Sequence, residues 1–411
     1  MSVLDDASLV LIPSGYKASK LYSVVPTSGD GDLSFSRSTT ATRVNADGLI
    51  ETVAINTPRI DFTGGGCGKL LLEPQRTNNI EYSQDFENSY WTKSGSSITA
   101  NNTTSPDGTT NADKLSEDSA NSRHSVFKTI QSISGRQYSV FAKANGRDWI
   151  LLTSHSVSAS DSRGQFFNVS NGTVGTGGDS TTNAKIEDYG NGWYKCTIGE
   201  GSSPSSIYTV MTVESDGGSV IYQGDGSSGV YLWQADNQED YATSHIPTAG
   251  STVTRTADLS TTSGLSSVIN SVEGVLYYKC QSLFDDLTNR IISISDGTAN
   301  NSIIIKYSST TQTILASVIV GSVAQCSMTY AVTDTTAIHG IAIRYKANDF
   351  SLWVDAVERD TDTSGSTFSA ATLDTFSCDN GAGGSPLYGK ISDLVLAEYL
   401  TDTQMAALTT I

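Results

Sequence analysis

The sequence predicts an all-β protein built from two antiparallel β-sandwiches behind an irregular N-terminal segment. Short runs rich in Val, Ile, Thr and Tyr recur along the chain, separated by the Gly, Asn, Asp and Ser that supply turns. Only 17% of the 411 residues are charged, and stretches of helix-favouring residues are nearly absent. At about 150 residues per domain, this length allows two or three domains.

Residues 1–80 contain only short apolar pieces interrupted by Gly and Ser. Asn45 to Gly48 (NADG) is a turn signal between two strand-like runs, and Gly64 to Gly66 exclude regular structure there. Pieces this short bury little apolar surface by themselves. We therefore expect an extended segment that becomes ordered by packing on other subunits or another protein. A small irregular β cap on the next domain explains the same pattern.

Residues 81–256 carry about eight strand signals with no helix between them, which is typical of an antiparallel sandwich or jelly roll. Three Asn-Gly pairs predict tight turns between flanking strands; they are Asn145-Gly146, Asn171-Gly172 and Asn191-Gly192. Alternation along the strand that follows the last pair puts one set of side chains on each face. Trp193, Lys195 and Thr197 share one face, and Tyr194, Cys196 and Ile198 share the other.

Residues 265–411 repeat the pattern of short β-branched strands and predict a second sandwich. The stretch before it, Ser251–Ser267, is rich in Ser, Thr and Gly, and we assign residues 257–264 as a linker. Near the C-terminus, Thr401 to Gln404 fits a capping box that opens a short helix over Met405 to Leu408.

Charge and hydropathy argue against several classes of partner. Acids outnumber bases by 43 to 25, a net charge of −18, so we expect no nucleic-acid binding, which needs clustered bases. We also expect no membrane insertion, because the longest apolar stretch, Ile314–Ala324, is about half the length of a spanning helix. Met1–Lys20 lacks the basic region of a secretion signal. The widely spaced cysteines predict reduced, mostly buried thiols and folding in a reducing cytosol; they are Cys67, Cys196, Cys280, Cys326 and Cys378.

No pattern in the sequence predicts catalysis, so we expect a protein that is not an enzyme, with no catalytic, cofactor-binding or metal-ligating residues. The histidines have no metal-ligand spacing; they are His124, His155, His245 and His339. The run Gly64–Lys69 lacks the spacing of a phosphate-binding loop. Adjacent carboxylates on a strand point to opposite faces, so surface or turn roles are expected for them. These candidates are Asp285-Asp286, Glu187-Asp188, Asp236 with Glu239-Asp240, and Asp355 with Glu358.

A structural calcium ion remains open at three oxygen-rich turns, although Asx turns explain the same residues. The turns are Asp30-Gly31-Asp32, Asp216-Gly217-Gly218 and Gly224-Asp225-Gly226. Exposed aromatic rings can stack on sugars, but four tryptophans lie in strand-like runs where core packing is expected: Trp149, Trp193, Trp233 and Trp353. Trp91 is more loop-like. The glycan-binding residues are therefore left unassigned.

Several longer strings resemble bacteriophage tail and head fibre proteins. The N-terminal strings are FSRSTTATRVNADGLIE (35–51), NTPRIDF (56–62), LLLEPQRTNN (70–79) and WTKSG (91–95). Two later strings, YGNGWYKCTI (189–198) and YLWQADNQEDYATSHIPTAGSTVTRTAD (231–258), resemble the end of the carbohydrate-binding-like jelly roll in those proteins. Through FSLWVDAVE and GKISDLVLAEYLTDTQMAAL, residues 265–411 resemble a concanavalin-A-like, laminin-G-type lectin sandwich.

The resemblance implies a virion structural protein, a tail or head fibre or spike that is folded in the host cytoplasm and displays its sandwiches for adhesion to host-surface glycans. Residues 1–80 would be the virion-attachment segment that contacts other virion proteins, and such fibres are commonly homotrimers. Two alternatives remain open: a purely structural decoration protein without a ligand, and a polysaccharide-degrading tailspike. Fold class alone does not choose between them.

Overall fold

The computed structural model describes residues 5–130, 135–154, 164–178, 181–200, 207–310 and 312–411. These residues form an all-β fold of two antiparallel β-sandwiches, as the sequence predicts. Within these ranges no helix is both long and apolar enough to cross a bilayer.

The first sandwich consists of two sheets that face each other across an apolar core. In order across sheet 1, the strands are Thr92–Ser94, Ser125–Thr129, Ile207–Val213, Trp149–Thr153, Gln165–Asn168 and Thr173–Gly177. In order across sheet 2, they are Ser96–Thr104, Thr110–Glu117, Gly229–Glu239, Arg136–Asn145, Tyr194–Glu200 and Thr181–Asp188. The core includes Val140, Cys196, Ile198 and Val210, none of which is exposed. Cys196 and Ile198 therefore lie on the inward face that alternation predicts.

The Asn-Gly signals have different outcomes. Asn191 and Gly192 both have positive φ, 53° and 78°, which suits a type I′ turn, and the flanking strands pair as predicted. The strands that flank Asn171-Gly172 also pair. The strands on either side of Asn145-Gly146, however, lie in different sheets. The chain crosses from sheet 2 to sheet 1 there. A turn signal specifies a change of direction, but it does not specify the strand with which the next segment pairs.

The second sandwich is also built from two sheets. In order across sheet 3, the strands are Val357–Asp362, Asp349–Val354, His339–Lys346, Gly274–Ser282, Gly389–Ala397, Lys69–Leu72 and Ile60–Asp61, with Ala7–Leu11 also paired to Gly389–Ala397. In order across sheet 4, they are Thr261–Thr262, Thr375–Ser377, Arg290–Ser295, Ser302–Tyr307, Thr313–Val320 and Val323–Ala331. Alternating side chains such as Ile292, Ile303 and Ile343 fill the core between these sheets.

The N-terminal segment is built into the second sandwich. Ala7–Leu11 and Lys69–Leu72 pair with the two halves of the same edge of Gly389–Ala397. Leu9 and Leu72 are fully buried in the core of this sandwich. The expectation that residues 1–80 take their order from other chains thus differs from the structure, where this order comes from pairing within the chain. The domain ranges inferred from the sequence stay a prediction.

A hairpin of the N-terminal segment also covers part of the first sandwich. The NADG turn joins Ala41–Val44 to Ile50–Val53, as the sequence predicts. Val44 and Ile50 pack on Phe141, Trp193 and Trp233 on the outer face of sheet 2. Three small sheets remain among the described residues. One joins Tyr16–Lys17, Lys20–Leu21 and Leu33–Ser34 in that order. The other two pair Arg76–Asn78 with Val253–Arg255 and Asn121–Ser122 with Tyr222–Gln223.

The C-terminal helix, Asp402–Leu408, begins at the predicted capping box. The Thr401 hydroxyl accepts from the Gln404 amide, and the Gln404 side chain accepts from the Thr401 amide at 3.0 Å. Met405 is fully buried and packs with Leu400 and Trp353 on the outer face of sheet 3. The helix therefore covers a face that would otherwise expose apolar side chains.

Candidate functional site

A cleft of about 690 Å³ opens where the first sandwich, the N-terminal segment and the second sandwich meet. Its volume lies in the range typical of small-molecule sites. Sheet 2 and the loop after it supply Lys185, Glu187, Tyr189, Lys195, Thr243, Ser244 and His245. The N-terminal segment supplies Thr42, Arg43, Asp61 and Lys69, and the second sandwich supplies Gln281, Phe284, Asp285, Asp334, Thr336 and Lys390.

The outer face of sheet 2 carries polar side chains that are buried. On neighbouring strands, Phe141 lies opposite Lys195, and Lys195 lies opposite Glu187. In the next row, Asp236 lies opposite Ser139, which lies opposite Thr197. A sheet face turned to solvent carries exposed polar groups, whereas Lys195, Asp236 and Thr197 are each at most 4% exposed. Burial of polar groups is costly unless they are fully hydrogen-bonded, so the burial of these side chains calls for a particular explanation.

Two of these buried groups lack part of their hydrogen bonding. The Asp236 Oδ1 atom accepts from the Ile246 amide at 3.1 Å, but neither Asp236 Oδ2 nor Thr197 Oγ1 has a partner among the described residues. Burial raises the pKa of Asp236 to about 6, and the Lys195 charge opposes this shift only in part. The Lys195 ammonium donates to the Thr243 carbonyl at 2.8 Å.

Aromatic rings adjoin the buried polar side chains on the outer face of sheet 2. The His245 ring lies 5.1 Å from Trp233 and 5.9 Å from Phe141, between centroids. Burial, reinforced by the positive charge of Lys195, lowers the pKa of His245 to about 3, so the ring is neutral at physiological pH. Tyr189 meets Phe141 edge-on at 4.8 Å and lines the cleft. A half-buried tyrosine beside hydrogen-bonding groups is a suitable surface for a sugar ring.

Lysines from the N-terminal segment and the second sandwich form the opposite wall. Lys390 Nζ lies 2.8 Å from Asp61 Oδ2, and Asp61 is held by the Val44 amide at 3.0 Å. Lys69 Nζ donates to Gln281 Oε1 at 3.1 Å. Burial lowers the pKa of Lys69, and the neighbouring charge of Lys390 lowers it further. The wall is therefore positively charged where the two lysines adjoin.

Behind the cleft lies a buried ion cluster, formed by Arg37, Arg59, Glu73, Arg255 and Asp258. Glu73 lies 2.5 Å from Arg59 and 2.8 Å from Arg255, while Asp258 lies 3.0 Å from Arg37 and also contacts Arg59. All five residues are at most 2% exposed. Burial alone would raise the pKa of Glu73, but Arg255 and Arg59 outweigh it and hold that pKa far below its usual range.

The ion cluster joins residues from several of the longer strings singled out in the sequence. Arg37 belongs to FSRSTTATRVNADGLIE, Arg59 to NTPRIDF and Glu73 to LLLEPQRTNN, while Arg255 and Asp258 end the string 231–258. These charges pair with one another and are almost fully buried, although Glu73 also reaches the cleft lining, so we expect the cluster to hold the molecule together. Arg255 and Asp258 also belong to the stretch that its composition predicts to be a polar linker, and the structure instead fixes both of them in the interior.

Of the five tryptophans, four are buried and one is half-buried. Trp193, Trp233 and Trp353 are at most 6% exposed, which confirms core packing, and Trp149 is half-buried. Trp91, expected to be loop-like, is only 2% exposed, and its indole donates to the Tyr82 carbonyl at 2.9 Å. It packs on Phe86 and therefore belongs to the core. Its flanking sequence lacks a strand pattern, so local composition gave no sign of this burial.

Most of the carboxylate candidates have the surface roles expected of them. Asp286 pairs with Arg290 at 2.8 Å, Asp240 with Arg76 at 3.2 Å and Asp355 with His339 at 2.8 Å. The exception is Asp236, which is buried and not solvated, because the N-terminal segment and the loop after sheet 2 cover its face. Glu187, a carboxylate candidate expected in a surface role, lines the cleft. Lys195 was not identified as a site residue from the sequence, although alternation placed it on the correct face.

The three described histidines do not converge on a common site. His124 is buried, with Nδ1 2.5 Å from the Gly95 carbonyl, while His339 is near the surface and His155 lies outside the described residues. In the part of the chain that the structure describes, no three His, Cys, Asp or Glu side chains converge as metal ligands would. The cysteines are free thiols, all buried except Cys67.

Neighbouring groups hold the carboxylates in the three candidate calcium turns. Asp32 Oδ1 accepts from the Ser23 amide at 2.9 Å, Asp216 Oδ1 from the Thr176 amide at 2.6 Å and Asp225 Oδ1 from the Ser227 amide at 2.7 Å. These contacts are the ordinary hydrogen bonds of turns. A structural calcium ion at these positions stays a prediction.

Comparison with known proteins gives no match at the level of sequence: no family model matches the chain, and no curated protein matches it. Among solved structures, the chain is similar to a Ruminococcus gnavus sialidase carbohydrate-binding module bound to α2,3-sialyllactose, at 13% identity and TM-score 0.28, over 34% of this chain and 83% of that one. It is also similar to domains LG4-5 of the mouse laminin α1 chain, at 11% identity and TM-score 0.25, over 68% and 88%. A tail fibre protein of an E. coli phage matches at 9% identity and TM-score 0.22, over 78% and 41%. Similarities this weak carry no conclusion about function.

Proposed function

We propose that the protein is a virion structural protein, a tail or head fibre or spike, that binds host-surface glycan in the cleft between its sandwiches. The assignment to a virion rests on the strings that resemble phage fibre proteins. The assignment of the cleft rests on one observation: the buried ammonium group of Lys195 lines the cleft and makes one hydrogen bond to a described residue, the Thr243 carbonyl, so N–H donors remain for a ligand. Sugar hydroxyls can accept from such donors.

The proposed binding surface has two parts. Tyr189 offers a ring to the apolar face of a sugar, and Lys195 and His245 offer nitrogen atoms to its hydroxyls. The charged side chains of the opposite wall adjoin the same space. The proposal includes no catalytic step and no cofactor, and it places the protein on the virion after folding in the host cytoplasm.

Binding of the whole chain to a glycan array and to host cells tests this function. We expect saturable binding that Tyr189→Ala weakens by about tenfold or more, which corresponds to about 1.4 kcal/mol. Tyr330→Ala is the matched control, because Tyr330 is also half-buried but packs under Arg359 on the second sandwich. Equal effects of the two substitutions would contradict the assignment of the cleft.

Other outcomes of the same experiment distinguish the alternatives. A well-folded chain that binds no glycan and no host cell would favour a structural decoration protein. Release of sugar fragments from a polysaccharide would favour a tailspike enzyme. We also propose a homotrimer that contacts other virion proteins through residues 1–80, and light scattering of the purified chain should give three times the mass of one chain.

A further inference from the structure

Four lysines line the cleft, and among the described residues two of them form salt bridges. Lys185 pairs with Glu187 at 2.7 Å and Lys390 with Asp61 at 2.8 Å. For Lys69 and Lys195, by contrast, the described residues provide no carboxylate within salt-bridge distance. The chain carries 43 acids and 25 bases, so acidic partners are plentiful elsewhere. Two unpaired cations in one cleft therefore call for an explanation.

Burial makes the unpaired charge at Lys195 costly. This residue is only 4% exposed, and its ammonium group makes one hydrogen bond, to the Thr243 carbonyl. An ammonium group has three N–H donors, so two remain for a partner in the cleft. The ammonium group also lies 5.9 Å from the centre of the Phe141 ring, but a buried cation without a salt bridge is still stabilised by a close counter-charge or strong acceptor. A ligand anion would supply both.

Electrostatic effects on neighbouring groups point the same way. After burial, the strongest influence that lowers the pKa of Lys69 is the charge of Lys390, with Lys279 adding to it and Asp61 opposing it. The charge of Lys195 likewise lowers the pKa of His245. Positive charge therefore acts on groups on both sides of the cleft, although Asp61 and Glu187 offset part of it.

The described acids that line the cleft form no salt bridge with these two lysines, although Asp61 and Glu187 interact with their charges at longer range. The Asp285 carboxylate accepts from the Gln312 side chain, and Asp334 Oδ1 accepts from the Thr336 amide at 2.8 Å. Glu187 is paired with Lys185. Asp236 lies on the same sheet face as Lys195 and interacts with its charge, but it forms no salt bridge with Lys195 and does not line the cleft.

We propose that the cleft binds an acidic glycan, with sugar carboxylates accepting from Lys195 and Lys69 while a sugar ring lies against Tyr189. This inference rests on the proposed glycan-binding function and adds the chemical class of the ligand. A carboxylate on a sugar occurs in uronic acids and in sialic acids, and the shared feature is the charge-assisted hydrogen bond to an ammonium group.

Matched polysaccharides with and without their carboxylates test the ligand class. The probes are polygalacturonate, hyaluronan and polysialic acid, each native and after chemical reduction of its carboxyl groups, with dextran as a neutral probe. We expect the whole chain to bind at least one native acidic probe about tenfold or more tightly than its reduced form, and more weakly at high salt. The probe that binds shows whether the carboxylate is of the uronic or the sialic kind.

Three variants connect this binding to the two lysines. Lys195→Met and Lys69→Met each keep an unbranched side chain, and each should weaken binding of the acidic probe about tenfold or more. Lys20→Met is the control, because Lys20 is exposed and does not line the cleft, and it should leave affinity within about twofold. Thermal melting checks folding, and Lys69 is only half-buried, so its variant tests the proposal even if Lys195→Met is unstable.

The outcomes separate this inference from the function on which it rests. Neutral and reduced probes bound as tightly as native acidic ones would overturn the acidic ligand while leaving glycan binding in place. Acidic binding that survives both lysine substitutions would overturn the roles of Lys69 and Lys195. No binding to any acidic or neutral probe would contradict both proposals.

Discussion

Glu73 is the residue on which most of the buried ion cluster depends. It pairs with Arg59 and Arg255, and its carboxylate also accepts from the Ser244 amide at 2.7 Å. Glu73→Gln would leave the arginines undercompensated in the interior, and we expect the free energy of unfolding to fall by about 3–5 kcal/mol. Chemical denaturation of the purified chain measures this loss.

A surface pair provides the control for Glu73. Glu273 pairs with Lys346 at 2.8 Å, but both side chains are more than a third exposed. Glu273→Gln should therefore cost less than about 1 kcal/mol. A loss at Glu73 as small as the loss at Glu273 would show that the buried ion cluster does not hold the molecule together.

His245 should make stability depend on pH. Its pKa is lowered to about 3 in the folded chain, so the unfolded chain takes up a proton below pH 6.5 while the folded chain does not. The contribution of His245 to the free energy of unfolding is thus complete above pH 6.5 and is lost as the pH falls towards 3. Asp236, with its pKa raised to about 6, acts in the opposite sense: its contribution is present below pH 4 and is lost as the pH rises through 6.

Replacing the ring of His245 isolates its part. His245→Phe keeps the aromatic contacts with Trp233 and Phe141, and no ring hydrogen bond to a described residue is lost. Relative to the wild type, this variant should gain about 1.6 kcal/mol between pH 6.5 and pH 5, because unfolding of the wild type takes up about half a proton at pH 6.5 and nearly one at pH 5. Urea titrations at both pH values measure the change, and a difference that is independent of pH contradicts the neutral, buried histidine.

For individual residues, the sequence predicted the strand face on which a side chain lies better than it predicted whether that side chain is buried. Alternation correctly grouped Trp193 with Lys195 and Cys196 with Ile198, because the period of a strand is local. The burial of Trp91, Asp236 and Asp258 depends on segments that are distant along the chain, so composition around each residue could not reveal it. Lys195 was on the predicted face, but its charge became informative only when its lack of a partner was visible.

Among the elements, strand Ala7–Leu11 is the clearest case of a long-range contact. It pairs with Gly389–Ala397, and Leu9 is fully buried in the core of the second sandwich. Leu9→Ala should destabilise the protein by about 2–5 kcal/mol, as expected when a buried leucine leaves a cavity. Differential scanning calorimetry of the whole chain measures the shift in its unfolding transition.

Ile12 lies just beyond this strand and provides the comparison. It is 42% exposed, so Ile12→Ala should change stability by less than about 0.5 kcal/mol. If Leu9→Ala were as mild as Ile12→Ala, the N-terminal strand would not be an integral part of the second sandwich, and a segment ordered by other chains would regain support.

Local signals predicted the local elements. The NADG hairpin, the hairpins at Asn171-Gly172 and Asn191-Gly192, and the capping box at Thr401 all depend on a few adjacent residues, and each is present. Pairing between residues 7–11 and 389–397 has no local signature, since either strand can pair with any free edge. The same limit explains why the Asn145-Gly146 signal did not show that its flanking strands lie in different sheets.

For the whole molecule, the N-terminal segment determines where the candidate site lies. Its hairpin covers one end of the outer face of sheet 2, and its strands extend sheet 3, so the cleft is lined by parts from the beginning, middle and end of the chain. The sequence predicted the sandwiches correctly, but it could not predict a cleft between them. That cleft depends on how the sandwiches and the segment pack against one another.

Hydrogen–deuterium exchange of the whole chain tests whether this cleft is the binding site. It is measured with and without the glycan that binds most tightly on the array. We predict slower exchange on glycan binding in residues 183–189, 242–245 and 281–285, which line the cleft. Residues 323–331, at the far edge of sheet 4, should be unchanged. Protection confined to surfaces outside the cleft, or the absence of any bound glycan, would contradict a glycan-binding cleft.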